Sequence, residues 1–382
     1  MKLTHVLPVV LACTASSPSW AAISEFSSGM TTPETISLAP AGFGTYGGQY
    51  LTPDFITHDI WAIPSGGGAP TSLTKVPANY MLNGTFLPDG YGTYGGQFLV
   101  TGYQSTAAPL PDTGGKRLAT IWAVSGTGNT HIAFQLPYDA YGADSLFYSA
   151  LTAPAGFGTV GGKLLALGRG YPVTTGVNQD MAIWAFDSNG TATKFAGGLP
   201  GAWAGAFAPA GFGNVGGELL VTDSVNGNIY AIDSDGNFSL FATVPLLSGQ
   251  LGLRQLAFAP AGSFGDLSGD LFVSVAASTV GGGTVGSVAV LDGTGQMIEE
   301  LKTGTALAKF DPRGIYFPGN DQILIADASD PIQLAARLDF GIRAAIPEPH
   351  SLALLALGMA ALVTRRRKMY SITRAGSFTT GA

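Results

Sequence analysis

One cysteine, Cys13, occurs in a chain of 382 residues. Everything after it is free of thiols. That excludes a disulfide, a thiolate metal cluster and a cysteine nucleophile from the body of the protein. Charge is scarce too: Asp, Glu, Lys and Arg make up 11% of the chain. Of 4 histidines, only His58 and His131 lie between residue 22 and the C-terminal tail. Neither has a second histidine at metal-ligand spacing. There is no Gly-x-Ser-x-Gly elbow and no Walker loop. No amphipathic helix of useful length interrupts the chain. Catalytic constellations are thus missing, and His58 and His131 are expected at solvent-facing strand or loop positions.

The charge that remains is mostly acidic. The whole chain has 18 basic and 25 acidic residues; residues 1–21 hold 1 basic residue, and residues 347–382 hold 5 basic and 1 acidic. The body therefore keeps 18 − 6 = 12 basic and 25 − 1 = 24 acidic residues, a net of −12. An acidic body argues against nucleic acid, whose phosphates require Lys and Arg, and against adsorption to anionic lipid. Ordinary solubility accounts for it. Apolar residues reach 46%, too many for a disordered chain. The 55 glycines have no three-residue period, which excludes collagen.

What the chain has is an internal repeat. Leu38-Ala-Pro-Ala-Gly-Phe-Gly44 precedes Tyr46-Gly-Gly-Gln-Tyr-Leu51, and Leu87-Pro-Asp-Gly-Tyr-Gly92 precedes Tyr94-Gly-Gly-Gln-Phe-Leu-Val100. The third and fourth copies begin at Ala153 and Ala208; the fifth, from Ala259, has slipped by one residue, and the sixth is shortened to Phe317-Pro-Gly-Asn320. The anchoring prolines 40, 88, 154, 209, 260 and 318 are spaced by 48, 66, 55, 51 and 58 residues. Such spacing suits a propeller blade and exceeds the ~20–35 residues of common solenoid repeats.

Each repeat carries four strand signals. In the fourth they run from Trp203 to Pro209, Glu218 to Asp223, Asn228 to Asp233 and Phe238 to Thr243. Asn-Gly and Asp-Gly turns separate alternating apolar runs, which is the hairpin signature. The third strand recurs as Ile60-Trp-Ala-Ile63, Ile121-Trp-Ala-Val124 and Ile183-Trp-Ala-Phe186. The expectation is an all-β, six-bladed β-propeller of four-stranded antiparallel blades. The last repeat runs out after its third strand, near Leu334 to Phe340. Ile23-Ser-Glu-Phe-Ser-Ser28 sits where a fourth strand would lie, so the N-terminal strand is expected to complete the last blade and leave no open edge. Residues 341–346 then form a linker.

Two motifs invite misreading. Gly42-Phe-Gly44-Thr-Tyr-Gly47 and its copies at Gly90–Gly95, Gly156–Gly161 and Gly211–Gly216 match the dinucleotide-binding pattern. That pattern needs a helix after the loop, whereas a strand follows here each time. The glycines are expected to supply positive φ, and the Phe or Tyr between them to plug against a neighbouring blade. Asp233-Ser-Asp235-Gly-Asn237 resembles part of a calcium loop, without its remaining ligands or distal glutamate. An Asp-Gly hairpin turn explains it. Asp223 and Asp327 end second strands. With Asp233 and Asp235 they are the candidates for a weak calcium or ligand contact.

The strand pattern of repeats four and six is similar to NHL-type and gluconolactonase-like propellers. That resemblance implies two readings. One is a non-catalytic exported propeller, a binding or structural module for a polysaccharide or protein. The other is a calcium-dependent lactonase-type hydrolase, which needs several carboxylates and an Asn converging on a metal in the central channel. The innermost segments Ala204–Pro209 and Leu256–Pro260 are apolar and carry no carboxylate, which favours the first. Exposed aromatics at a groove, such as Trp203, would favour a saccharide.

Both ends speak of export. Lys2, the apolar run Val6 to Ala12 and Ser19-Trp20-Ala21 read as a signal peptide, residues 1–21, for the Sec translocon. Val10-Leu-Ala-Cys13 is a rival lipoprotein reading, to which Leu11 is poorly suited. At the other end stand Pro347-Glu348-Pro349, an uncharged apolar run from Ser351 to Val363, and Arg365-Arg366-Arg367-Lys368. At ~1.5 Å per residue the run spans about 20 Å as a helix, short of a ~30 Å hydrocarbon core. This order resembles the PEP-CTERM sorting signal of Gram-negative bacteria, here residues 347–368. The resemblance implies an exosortase as partner, a C-terminal hydrophobic helix held transiently in the inner membrane, and delivery to the cell surface or extracellular matrix. Family members usually stop soon after the arginines; this chain continues through residues 369–382.

Overall fold

Strands that alternate between a buried and an open face must find partners, and here they pair almost entirely with their neighbours in sequence. The computed structural model describes residues 24–105, 117–136, 145–170, 180–277, 286–301, 310–319, 321–328, 332–336 and 341–342. Residues 1–21 with Cys13, the sorting segment 347–368 with its expected hydrophobic helix, and residues 369–382 lie outside them. The chain divides into two units, Met1–Gly341 and Ile342–Ala382. The first contains the strands described below, except that Gly341–Ile342 falls on the boundary. Among the described residues no helix is long and apolar enough to cross a membrane.

The strands form six sheets, five of four strands and one of five. Blade 1 comprises Ser37–Leu38, Tyr50–Pro53, Asp59–Ile63 and Thr71–Lys75. Blade 2 comprises Tyr80–Phe86, Phe98–Ser105, Arg117–Val124 and Thr130–Gln135. Blade 3 comprises Leu146–Thr152, Leu164–Gly170, Asp180–Phe186 and Ala192–Leu199. Blade 4 comprises Gly205–Phe207, Leu219–Thr222, Asn228–Ile232 and Phe238–Thr243, close to the expected bounds. Blade 5 comprises Gln250–Phe258, Leu271–Ala277, Ser287–Leu291 and Met297–Leu301, with Gly341–Ile342, at the start of the expected linker, as a fifth strand. Blade 6 comprises Pro312–Gly319, Gln322–Asp327, Ile332–Ala336 and, from the other end of the chain, Ser24–Ser27.

That N-terminal strand runs antiparallel to Ile332–Ala336, with Ser24 opposite Leu334 and Ser27 opposite Ile332. Of the expected third strand of blade 6, residues 337–340 lie outside the described residues. The seam with blade 1 is closed by the Gly68 N–H donating to the Phe26 carbonyl at 2.8 Å and by the Ser27 hydroxyl donating to the Gly68 carbonyl at 2.7 Å. Tyr50 packs edge-on against Tyr316 and Phe26, with ring centroids 5.4 and 5.8 Å apart.

The glycine-rich loops are the joints between blades. Each makes a single 3-10 turn, Gly44–Tyr46, Gly92–Tyr94, Gly158–Val160, Gly213–Val215 and Gly265–Leu267, and no helix follows. The aromatic before each turn (Phe43, Tyr91, Phe157, Phe212, Phe264) is buried. Four of them pack edge-on against the first strand of the next blade: Phe43 on Phe86, Phe157 on Phe207, Phe212 on Phe258 and Phe264 on Phe317, at 4.8–5.2 Å. Tyr91 reaches further. Its hydroxyl donates to the Phe186 carbonyl at 2.5 Å and accepts from the Leu164 N–H at 2.9 Å, both in blade 3. Gly213 has φ +51, and a Cβ there would lie 1.7 Å from the Gly293 carbonyl of blade 5. Glycine is thus required both by backbone conformation and by the approach of the next blade's hairpin.

Candidate binding site at the mouth of the propeller

The first strand of every blade begins at one face, the one that also carries the turns between second and third strands. Counting back six residues from the anchoring prolines gives Glu34, Leu82, Tyr148, Trp203 and Arg254. The sixth repeat slips by one, and Arg313 takes that place. These six side chains ring a narrow throat. Above it opens a cavity of about 440 Å³, lined also by Thr31, Thr32, Phe55, Ile56, Tyr80 and Asp311.

The next position is the clamp that holds the ring. Side chains there accept hydrogen bonds from the backbone of the following blade. The Gly84 N–H donates to Thr35 Oγ1 at 2.8 Å, and the Ile315 N–H donates to Gln255 Oε1 at 2.7 Å. Second-strand hydroxyls donate to ring carbonyls in the same sense: Thr101 to Tyr148 at 3.2 Å, Thr222 to Arg254 at 2.8 Å and Ser274 to Arg313 at 2.8 Å. Leu82, Tyr148, Arg254 and Arg313 therefore sit on mutually bonded first strands, while Glu34 and Trp203 lie just before theirs.

The charges come from three blades. Arg313 Nη2 donates to Asp311 Oδ2 at 2.7 Å, and Nη1 stands 4.0 Å from Glu34 Oε1. Asp311 also accepts from the Ala277 N–H at 3.1 Å. Glu34 is 4% exposed. Burial pushes its carboxyl up to about 7, against the opposing pull of Arg313 and then Arg254. Arg254 is 7% exposed, with its guanidinium 4.0 Å over the Trp203 ring. Burial, and next the neighbouring Arg313, lower it to about 10. Tyr148 packs on Trp203 at 4.4 Å. Trp203 is thus half-buried between neighbours, and its role is to carry the arginine rather than to offer an open stacking face.

This mouth differs from the apolar channel expected from Ala204–Pro209 and Leu256–Pro260. Those windows open just below the ring, whose charged members are the residues immediately before them. The signal was present in the sequence as the position six before the first five anchoring prolines. It looks unremarkable one blade at a time.

The aspartates singled out from sequence do not converge. Asp223 is buried on the mouth side and caps its own turn, accepting from the Val225 N–H at 2.8 Å and from Asn226 Nδ2 at 2.8 Å. Asp327, equally buried, accepts from the Asp311 N–H at 3.0 Å. Asp54, at the same place in blade 1, was not picked out from sequence. It accepts from the N–H groups of Thr31, Thr32, Ile56 and Thr57. Burial raises its carboxyl, and those donors more than offset that, so the net shift is downward. Asp233 and Asp235 lie on the opposite face. Asp233 Oδ1 accepts from the Asp235 and Asn237 N–H groups at 2.9 Å each. The bond from the Asn237 side chain leads the causes that lower its carboxyl. His131 is exposed on a fourth strand, and His58 sits half-buried in a turn.

Calcium requires ~6–8 oxygen ligands. Asp54 and Asp223 are occupied by backbone amides, while Asp311 and Glu34 face guanidinium groups that repel a cation. Among the described residues no group of three or more His, Cys, Asp or Glu could hold a metal ion. The mouth does not fit calcium.

Residues 345–368 match the PEP-CTERM protein-sorting motif, a C-terminal signal for export to the cell surface that implies exosortase processing. No curated protein matches the chain in sequence. Among solved structures, a glucose dehydrogenase superposes with a TM-score of 0.55 at 14% identity, over 83% of this chain and 99% of the other. A gluconolactonase from Xanthomonas campestris gives 0.51 at 12% identity, over 82% and 88%. Regucalcin from Agrobacterium tumefaciens, a calcium-binding protein, gives 0.50 at 14% identity, over 83% and 95%. These likenesses establish the propeller fold.

Proposed function

We propose that this chain is an exported, exosortase-processed protein that acts at the cell surface or in the extracellular matrix as a binding module, its ligand seated at the propeller mouth without a metal. The observation that carries the binding role is the arrangement of Glu34, Asp311, Arg254 and Arg313 around one cavity. The charges are rigidly mounted and of both signs, as suits recognition of a polar ligand. The sorting motif supports the destination, with the inner membrane as a transient stop.

Cell fractionation in strains with and without the exosortase tests the destination. Full-length protein should stay in the membrane fraction only when the enzyme is missing, and equal distribution in both strains would refute it. The metal-free reading predicts that calcium and EDTA leave the melting midpoint unchanged, since only a ligand bound to the native state raises it. A calcium-dependent rise would restore the calcium reading.

One observation favours a second reading, hydrolysis of the lactonase type. Glu34 titrates near neutrality inside a cavity, as a general acid or base should. Lactone hydrolysis by the purified protein that disappears in Glu34→Gln would support it.

A further inference from the structure

Arg254 is the mouth cation that, among the described residues, has no carboxylate at ion-pair distance, although Glu34 and Asp311 act on it from further away. Among the described residues its side chain makes one hydrogen bond, from Nη1 to the adjacent Leu253 carbonyl at 3.4 Å, and its Nε has no partner. Arg313, by contrast, holds Asp311 at 2.7 Å. No carboxylate of the described residues stands within 4.0 Å of the Arg254 guanidinium. A buried guanidinium without an acceptor is costly, because its hydration has been removed and not replaced. Yet this one is fixed, since it lies over Trp203. Its strand is clamped by Thr222 and Gln255. A donor fork held in place at a cavity wall matches one ligand group in particular, a carboxylate, which accepts two parallel N–H bonds.

We propose that the mouth takes a sugar acid of the hexuronate type, its carboxylate bound by Arg254 with Arg313 as the neighbouring cation. This deepens the binding-module reading and rests on it. Around the carboxylate position the cavity offers the Thr31 and Thr32 side chains and Glu34 to hydroxyl groups, and Phe55 and Tyr80 to a ring face. Its volume of about 440 Å³ lies within the ~300–1,000 Å³ of small-molecule sites. The same chemistry is met in free hexuronates and in acidic polysaccharides.

Glu34 makes the site pH-sensitive. It is faced by Arg313 and Asp311 of blade 6, Arg254 of blade 5 and Asp54 of blade 1. Tyr148 acts on Arg254, and Tyr80 on Arg313. When Glu34 is protonated, Asp311 and Asp54 balance the two arginines around it. When it ionises it opposes an anionic ligand. Affinity for a hexuronate should therefore fall as pH rises through neutrality.

Calorimetric titration of the purified full-length protein with sodium glucuronate, glucose and a glucuronate oligomer at pH 6 and 8 tests this. Glucuronate should bind, and more tightly at pH 6; glucose should not. Arg254→Gln should weaken binding by roughly tenfold or more, the loss expected for a charge-assisted hydrogen bond. Arg254→Lys should retain part of it. Glu34→Gln should remove the difference between the two pH values. Circular dichroism separates lost binding from lost fold, and the Glu34→Gln measurement stands even where Arg254 variants fail to fold. Binding of the oligomer alone assigns the carboxylate to a polymer and upholds the proposal. Equal binding of glucose and glucuronate would overturn it while leaving the binding module intact. No binding of any of the three would overturn it and remove the support for saccharide recognition.

Discussion

Glu34 and Asp54 show how the same side-chain chemistry is driven in opposite directions by what surrounds it. Asp54 has four amide donors and is held below its ordinary value. Glu34 has one guanidinium at 4.0 Å, and burial prevails, raising it from 4.5 to about 7. The native state then holds a proton that the unfolded chain releases above about 4.5. Stability must fall as pH rises across that window and level off above neutrality. Glu34 is expected to cost up to roughly 3 kcal/mol at pH 8, at ~1.36 kcal/mol per pH unit. Glu34→Gln should consequently melt higher than the parent at pH 8, with the gap closing by pH 5; a gap independent of pH would show that burial does not govern this group. None of this was legible in the sequence. Thr-Pro-Glu-Thr reads as loop, and the residues that decide the behaviour of Glu34 come from positions 254, 311 and 313. By contrast, the role of Asp233 was legible, because a hairpin cap depends on residues within four positions of it.

At the level of strands and loops the same distinction recurs. The hairpins of blade 4 follow from alternation and from Asn-Gly and Asp-Gly turns, all local signals. The glycine-rich loops were legible as joints because each is followed by a strand and carries an aromatic just before its turn. What each aromatic touches was not, since the partner lies a blade away. Tyr91 illustrates the consequence. Blade 3 offers no aromatic at the end of its first strand, and the hydroxyl of Tyr91 instead bridges the Phe186 carbonyl and the Leu164 N–H. Tyr91→Phe keeps the ring and leaves both backbone groups buried without that partner. It should destabilise by about 1–3 kcal/mol, the cost of an unsatisfied buried polar group. Tyr94→Phe in the same loop removes no hydrogen bond of this kind and serves as the control. Equal midpoints in thermal melts of the two variants would mean that ring packing alone joins blades 2 and 3.

For the propeller as a whole, the decisive feature is that the ring is closed by its N-terminal strand and not by its C-terminus. Six repeats with only three strands in the last one implied a donated strand, and Ser24–Ser27 fills the vacancy against Ile332–Ala336. This topology suits a chain whose C-terminal segment is a sorting signal, because removing that segment leaves the closing hydrogen bonds untouched. Closure by a C-terminal strand would have placed the sorting site directly beside the seam. Two truncations separate these effects. A chain ending at Ile342 should retain the melting midpoint of the full chain. A chain lacking Ser24–Ser27 should lose the Phe26 contacts with Gly68 and Tyr50 and expose Ile332–Ala336 as a free edge, a template for pairing with another molecule. It should melt lower, with a broader transition, and associate at concentrations where the parent stays monodisperse, as light scattering would register. If the C-terminal truncation were instead the one to unfold, residues beyond 342 would be part of the folded ring.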